Sequence, residues 1–300
     1  MKVKSIIAAA IVGLSALTSS AQTSADTPRL FELPSIPDSI TDITQRYNYY
    51  VSHYWDRANR QSMFSNRKLL AAAFVDYVSP LRYTQRSVVE KSVADLMKSI
   101  EKNSENQLYI ARLAEDCLYG DSALYLSDEL YLDFIRPVLK NKRVPKANKA
   151  RYELQATQLA NSMEGHKMNP IEFTDVNGNR QVWNPGDSIE TILFFNDPDC
   201  IDCNLARVRL KADPTLNRLI DEGRLQVVAL SPVEVEAGWI AQAVDYPKNW
   251  KVGANPDLDL TLDLRNGTPD FWVVAKDGTL VRKRILVDQL LNIFSVSYTH

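Results

Sequence analysis

The sequence predicts an all-α region followed by an α/β region built on a central mixed sheet flanked by helices. Three observations carry this. From about Ile43 to Met163, apolar residues recur at helical spacing. After Gly165 the period shortens to that of strands, with two Gly-marked hairpin signals, Asn177-Gly178 and Asp277-Gly278. Between those hairpins the apolar run Ile189 to Phe195 leads directly to Cys200-Ile201-Asp202-Cys203, where a helical stretch opens.

The chain begins with Lys2 and Lys4, then an apolar stretch from Ile6 to Leu17, then small residues at Ser19 and Ala21. This is the pattern of a secretory signal peptide over residues 1–21, cut at Ala21|Gln22. The apolar run is short for a membrane span, and no Cys follows it to take a lipid. The expected product is exported, periplasmic and soluble after cleavage, with about 280 residues, enough for two ordinary domains.

Residues 22–37 read as an extended lead-in bearing Pro28, Pro34 and Pro37. Residues 38–165 read as a helical domain of five or six helices. Val88, Val89, Val93, Leu96, Met97 and Ile100 share one face, as do Ile110, Leu113, Ala114, Cys117 and Leu118. Further stripes are Leu130, Phe134, Val138 and Leu139, and Tyr152, Ala156, Leu159, Ala160 and Met163. Breaks fall at Ser79-Pro80, Tyr119-Gly120-Asp121 and Val144-Pro145.

Residues 168–300 form the second predicted domain, in the order ββ–β–α–β–α–β–β–α. Ile171 to Val176 and Arg180 to Trp183 make the first hairpin. Cys200 to Glu222 is one helix kinked at Pro214, with Leu205, Val208, Leu216, Leu219 and Ile220 as its apolar members. Leu225 to Leu230 is a buried strand, reached by a crossover that suits parallel pairing. A short helix spans Val235 to Val244. Phe271 to Ala275 and Thr279 to Arg284 form the late hairpin, and Ile285 to Phe294 closes the chain as a helix.

Two thiols at i and i+3 on the first turn of a helix can exchange between dithiol and disulfide. The positive end of the helix favours a thiolate there. The same spacing serves structural disulfides and half zinc sites, so a bare CxxC leaves three readings open. No second CxxC or CxxH is present to complete a zinc site. Cys117 lies on an apolar stripe and reads as a small buried hydrophobe, and His53, near Tyr49, Tyr50, Tyr54 and Trp55, reads as a packing or surface residue and not a ligand.

The element order, the CxxC after the central strand, and Gly267-Thr268-Pro269 before Asp270-Phe271-Trp272-Val273-Val274 together resemble the thioredoxin-like superfamily. The opening hairpin and the long gap from Cys203 to Pro269 are similar to its exported, cytochrome-maturation-type branch of thiol–disulfide oxidoreductases. The helical region resembles an uncharacterised domain that precedes thioredoxin modules in some exported bacterial proteins. The resemblance implies that Cys200 is the attacking thiol and Cys203 the resolving one. It implies that Pro269 is a cis-proline facing the pair, with Thr268 offering its backbone to a substrate as an added strand. Protein thiols or disulfides would be the substrates, and an upstream electron donor, a membrane thiol relay being one candidate, would recharge the pair.

The chain departs from that family at three places. Asp199 stands where an aromatic residue often precedes the first Cys, and Ile201-Asp202 replaces Gly-Pro. Phe194 stands where many members keep a buried acid, six positions before the first Cys. A helix N-terminus favours an anion by about 0.3–1 kcal/mol, while Asp197, Asp199 and Asp202 oppose a thiolate by charge. Asp199 and Asp202 are thus expected to tune the pair toward its disulfide, making it a reducing couple. A peroxiredoxin would need Pro and Thr or Ser seven and three residues before its reactive Cys. Leu193 and Asp197 precede Cys200 at those places, and Asn196 and Cys200 precede Cys203.

A net charge of −2 and a pI near 6.0 give nucleic acid no counter-charge to find. Three cysteines exclude a disulfide-scaffolded module, and no sequence feature demands a metal, nucleotide or organic cofactor. The alternative to an enzyme is an exported module that keeps the fold for binding or assembly without redox turnover. Oligomeric state and the role of the helical domain have no sequence signal.

Overall fold

A computed structural model describes residues 28–298; the expected signal peptide lies outside the described residues. Six α-helices come first: α1 (Ile43–His53), α2 (Arg67–Val78), α3 (Arg86–Ser99), α4 (Ser104–Leu118), α5 (Asp128–Lys140) and α6 (Lys146–Ala160). Their starts obey local chemistry. Asp42, Asn66, Asn103 and Ser127 each accept a backbone N–H of the first turn through the side chain, satisfying donors that the helix cannot. Asp128 and Glu129 add negative charge at the positive end of α5.

The predicted stripes bury against one another in a single core that includes Phe74, Tyr77, Leu96, Ile110, Tyr131, Phe134 and Leu159. Cys117 packs at its margin, where burial pushes its thiol up to about 11. Ala160, by contrast, is exposed. His53 packs against the Tyr49 ring at 4.3 Å between centroids and meets Asp56 Oδ2 at 2.7 Å.

A seven-stranded mixed sheet comes next, in the order β2-β1-β5-β4-β3-β6-β7. Its strands are β1 (Ile171–Asp175), β2 (Arg180–Trp183), β3 (Glu190–Phe195), β4 (Leu225–Ser231), β5 (Lys251–Ala254), β6 (Asp270–Val274) and β7 (Leu280–Ile285). The sheet is parallel through β3, β4 and β5, and the β1–β2 and β6–β7 hairpins extend it antiparallel. β3 is buried on both faces, as central parallel strands are. Ile192 and Phe194 enter one core layer with Cys203 and Phe271, while Leu193 and Phe195 enter the other with Trp183 and Trp272.

Both hairpins close on a three-residue loop. Asp175 N bonds Asn179 O and Ala275 N bonds Thr279 O, with Gly178 at φ +80° and Gly278 at φ +84°. Only glycine takes that geometry without cost.

Helices α7 (Ile201–Ala212), α8 (Pro214–Asp221) and α11 (Val287–Tyr298) pack together on one face. The shorter α9 (Ala237–Ala243) and α10 (Leu258–Thr261) fill the connections on either side of β5.

The structure corrects the predicted order in two places. The stretch 200–222 is two helices, because Asp213 caps a new one through Leu216 N and Pro214 fits its first turn. β5 and α10 are additional elements. β5 closes the gap between β4 and the first hairpin, and Gly253 is required within it. A Cβ there would meet Phe173 Cδ2 at 2.0 Å. Gly253→Ala should therefore overpack the site and destabilise the fold by about 1–3 kcal/mol, read as a lower urea midpoint.

Candidate functional site

The site begins with the turn between β3 and α7. Phe195 ends the strand, and Asn196, 2% exposed, anchors the turn. Its amide donates to Phe194 O and Leu230 O, and its carbonyl accepts from Ser231 Oγ and Tyr246 OH. Trp239 Nε1 donates to Ser231 Oγ, which extends the network to α9. Asp197 then accepts the Asp199 N–H in a tight loop.

Cys200 is the N-cap of α7 and is half-buried, whereas Cys203, one turn in, is 2% exposed. The two are joined as a disulfide with Cα atoms 5.2 Å apart. Cys203 N–H points at Cys200 Sγ, 3.0 Å away. A donor held there by the helix backbone favours a thiolate on Cys200 when the bond is reduced. Asp199 and Asp202 are exposed on the rim of this turn, where water and salt screen their field.

Across a shallow gap, the Thr268–Pro269 peptide bond is cis and the Thr268 carbonyl oxygen lies 3.7 Å from Cys200 Sγ. The predicted site residues Cys200, Cys203 and Thr268 thus come together with Pro269. Beneath Cys203, Phe194 stacks on Phe271 with ring centroids 4.7 Å apart, so the layer under the inner sulfur is apolar.

One expectation for α7 fails. Leu205 and Val208 are 58% and 59% exposed, and Ile201 is 76% exposed. The face that α7 buries is Cys203, Ala206 and Leu210. Both faces carry apolar residues, so spacing alone could not choose between them.

A cluster of buried charge lies on the sheet face opposite α7. Lys283 Nζ is 2.7 Å from both Asp128 Oδ2 and Asp263 Oδ2. Arg265 bonds Asp128 and Asp263, and Arg284 also reaches Asp128. Burial raises the Asp128 carboxyl, but Lys283, Arg284 and Arg265 outweigh that and hold it below its ordinary range. Asp270, 2% exposed, borders the cluster and accepts from Trp272 Nε1. Burial pushes it up to about 6, against the Trp272 hydrogen bond and nearby Arg284.

The cluster escaped sequence reading because Asp128, which ties it together, lies 137 and 156 positions from Arg265 and Arg284. The one local signal is the run Arg282-Lys283-Arg284, three consecutive cations in a strand, of which Lys283 is buried.

Residues 14–162 match the model of a family described as a domain of unknown function, DUF5106. A thioredoxin-like protein from Bacteroides caccae is similar at 22% identity over 90% of this chain and 99% of that one, with a TM-score of 0.70. The thioredoxin domain of a thiol-disulfide oxidoreductase from Bacteroides vulgatus is similar at 21% identity over 45% of this chain and 96% of its own, with a TM-score of 0.38. No curated protein matches the chain. The likeness to the Bacteroides caccae protein spans the helices and the sheet, and the fold of the α/β part is thioredoxin-like. Among the described residues no helix is long and apolar enough to cross a membrane, and no group of His, Cys, Asp and Glu has the arrangement of a metal site.

Proposed function

We propose that the protein is an exported, periplasmic thiol–disulfide oxidoreductase acting as a reductant of protein disulfides. In this reading residues 1–21 are a cleaved signal and 22–37 a lead-in. Residues 38–165 form a helical domain, and 168–300 the redox domain. The observation that carries the reading is the partly buried Cys200 at a helix N-terminus, with Cys203 N–H directed at its sulfur and the Thr268 carbonyl 3.7 Å away.

Cys200, as thiolate, attacks one sulfur of a substrate disulfide. A Cys200–substrate bond forms, the substrate S–S bond breaks, and its second sulfur leaves as a thiolate that takes a proton from water. Cys203 then loses its proton to water and attacks Cys200 Sγ. This forms the internal disulfide and releases the first substrate sulfur. Two electrons pass to the substrate, and an upstream dithiol restores them. Thr268 holds the substrate backbone as an extra strand, and Asp199 and Asp202 weaken the thiolate.

The apolar layer at Phe194 favours one other reading, a module that binds without turnover, because no acid there takes the proton of Cys203. Insulin reduction with dithiothreitol as donor separates the two. The wild type should accelerate it and Cys200→Ser should fall to the uncatalysed rate; equal rates for both would remove the enzyme. Alkylation of reduced protein by iodoacetamide should reach its half-rate above about pH 6, outside the strongly lowered range of oxidising cysteines. A half-rate below that pH would overturn the reducing assignment.

A further inference from the structure

The helical part touches the α/β part at the segment that ends in Thr268. Gln158 Nε2 donates to Asp259 O, and Asn161 Nδ2 donates to Thr261 O at 3.1 Å. Ser162 Oγ accepts the Asp263 N–H at 3.0 Å. Arg265 donates to Tyr119 O at 2.8 Å, lies 3.5 Å above the Tyr119 ring, and bonds Asp128. Residues 259–265 are thus held by five residues, from α5, from α6 and the two residues after it, and from the turn after α4. Gly267 N then bonds Leu264 O, and the next residue is Thr268.

The far side of the cluster is built to meet this anchorage. In the β6–β7 pairing, Phe271 faces Ile285 and Val273 faces Arg282, so both Lys283 and Arg284 stand opposite Trp272. This bulge turns two consecutive cations to one side, and both reach Asp128. Arg284 sits at φ +56°, a left-handed conformation that a non-glycine residue adopts only where its surroundings demand it. The extra Lys283 N–H is taken by Glu164 Oε1 at 2.8 Å, again from the end of the helical part.

We infer that the helical part positions the substrate-binding edge: Asp128, acting through Arg265 and supported by Gln158, Asn161 and Ser162, fixes the 259–268 segment and with it the Thr268 carbonyl opposite Cys200. Asp128 and Arg265 are positioning residues, since neither touches the sulfurs. The inference rests on the redox reading above for its consequence in turnover, but the anchorage can be tested without it. The segment carries the substrate strand and not the CxxC. Loosening it should therefore weaken substrate capture while leaving the chemistry of the sulfurs alone.

The test compares the full chain with Asp128→Asn, which keeps an acceptor but loses the charge, and with Gln158→Ala/Asn161→Ala, which removes two peripheral anchors and spares the buried charges. KM for insulin should rise about tenfold in Asp128→Asn, as misplacement of a binding group away from the chemistry would do. The CxxC reduction potential, from equilibration in dithiothreitol buffers, and the Cys200 alkylation profile should stay at wild-type values. Amide exchange over residues 264–270 should accelerate in both variants. Wild-type KM and wild-type exchange in folded variants would overturn the inference, as would a shifted potential with unchanged KM. If the wild type itself shows no Cys200-dependent turnover, the enzyme reading fails and the exchange measurement alone decides. Faster exchange then supports the anchorage, and unchanged exchange overturns it.

Discussion

Lys283→Met should destabilise the protein by about 1–3 kcal/mol, the cost of taking one charged donor from two buried carboxylates that keep Arg265 and Arg284. Lys283 Nζ bridges Asp128 and Asp263, as Arg265 Nη2 also does, and the side chains of Lys283 and Asp263 are 2% and 0% exposed. Methionine fills a similar volume, so the loss is electrostatic and not a cavity. Asp263 keeps only Arg265 at 3.1 Å and Arg284 at 3.6 Å. A lower urea midpoint with an unchanged slope is the expected result. Adding Asp263→Leu to Lys283→Met should recover much of the loss, because paired charges replaced by apolar groups are often nearly neutral. A single variant within about 1 kcal/mol of wild type would mean that the cluster is hydrated and its pairing weak.

Asp270→Asn should stabilise the protein at neutral pH and leave it unchanged near pH 4. Asp270 ionises near pH 6 in the fold and near its ordinary 3.8 in the unfolded chain. Below 3.8 both states hold the proton and no difference arises. Between about 4 and 6 the unfolded state releases it first, so wild-type stability falls as pH rises, and above 6 the full cost is present. A shift of roughly two pH units corresponds to about 3 kcal/mol at most. Asn removes the ionisation and keeps an oxygen for Trp272 Nε1. The quantity to measure is the difference in unfolding free energy between variant and wild type at several pH values. A difference that does not grow from about pH 4 to about pH 7 would contradict a buried, reluctant carboxylate. Asp128 has the opposite sign: its depressed ionisation supports the fold above its ordinary range and is lost only on further acidification.

Much of the fold was legible because it is written in local periodicity and turn chemistry. The helical stripes, both Gly hairpins and the apolar run of β3 carry their signals within a few residues, and the CxxC marks the start of α7 by itself. What escaped lacks such a signal. β5 is Lys-Val-Gly-Ala, four residues with one β-branched member, and only the Phe173 ring above Gly253 explains its composition. Leu205 and Val208 satisfy helical spacing as well as the residues that α7 buries, so period cannot tell an inward face from an outward one. The polar anchor at Asn196 depends on Ser231 and Tyr246, 35 and 50 positions away. The charge cluster is more remote still, with Asp128 and Arg284 separated by 156 residues.

That separation bears on how the molecule is made. Asp128 precedes Arg265 and Arg284 by 137 and 156 positions, so the helical part can form before the segment that supplies its cations has folded. The nascent helices must therefore carry a bare carboxylate at the head of α5, kept soluble by water, until the final hairpin emerges and neutralises it. A chain cut before that hairpin would leave Asp128 without Lys283 and Arg284, and its helical part should be cleaved by added protease faster than in the full chain.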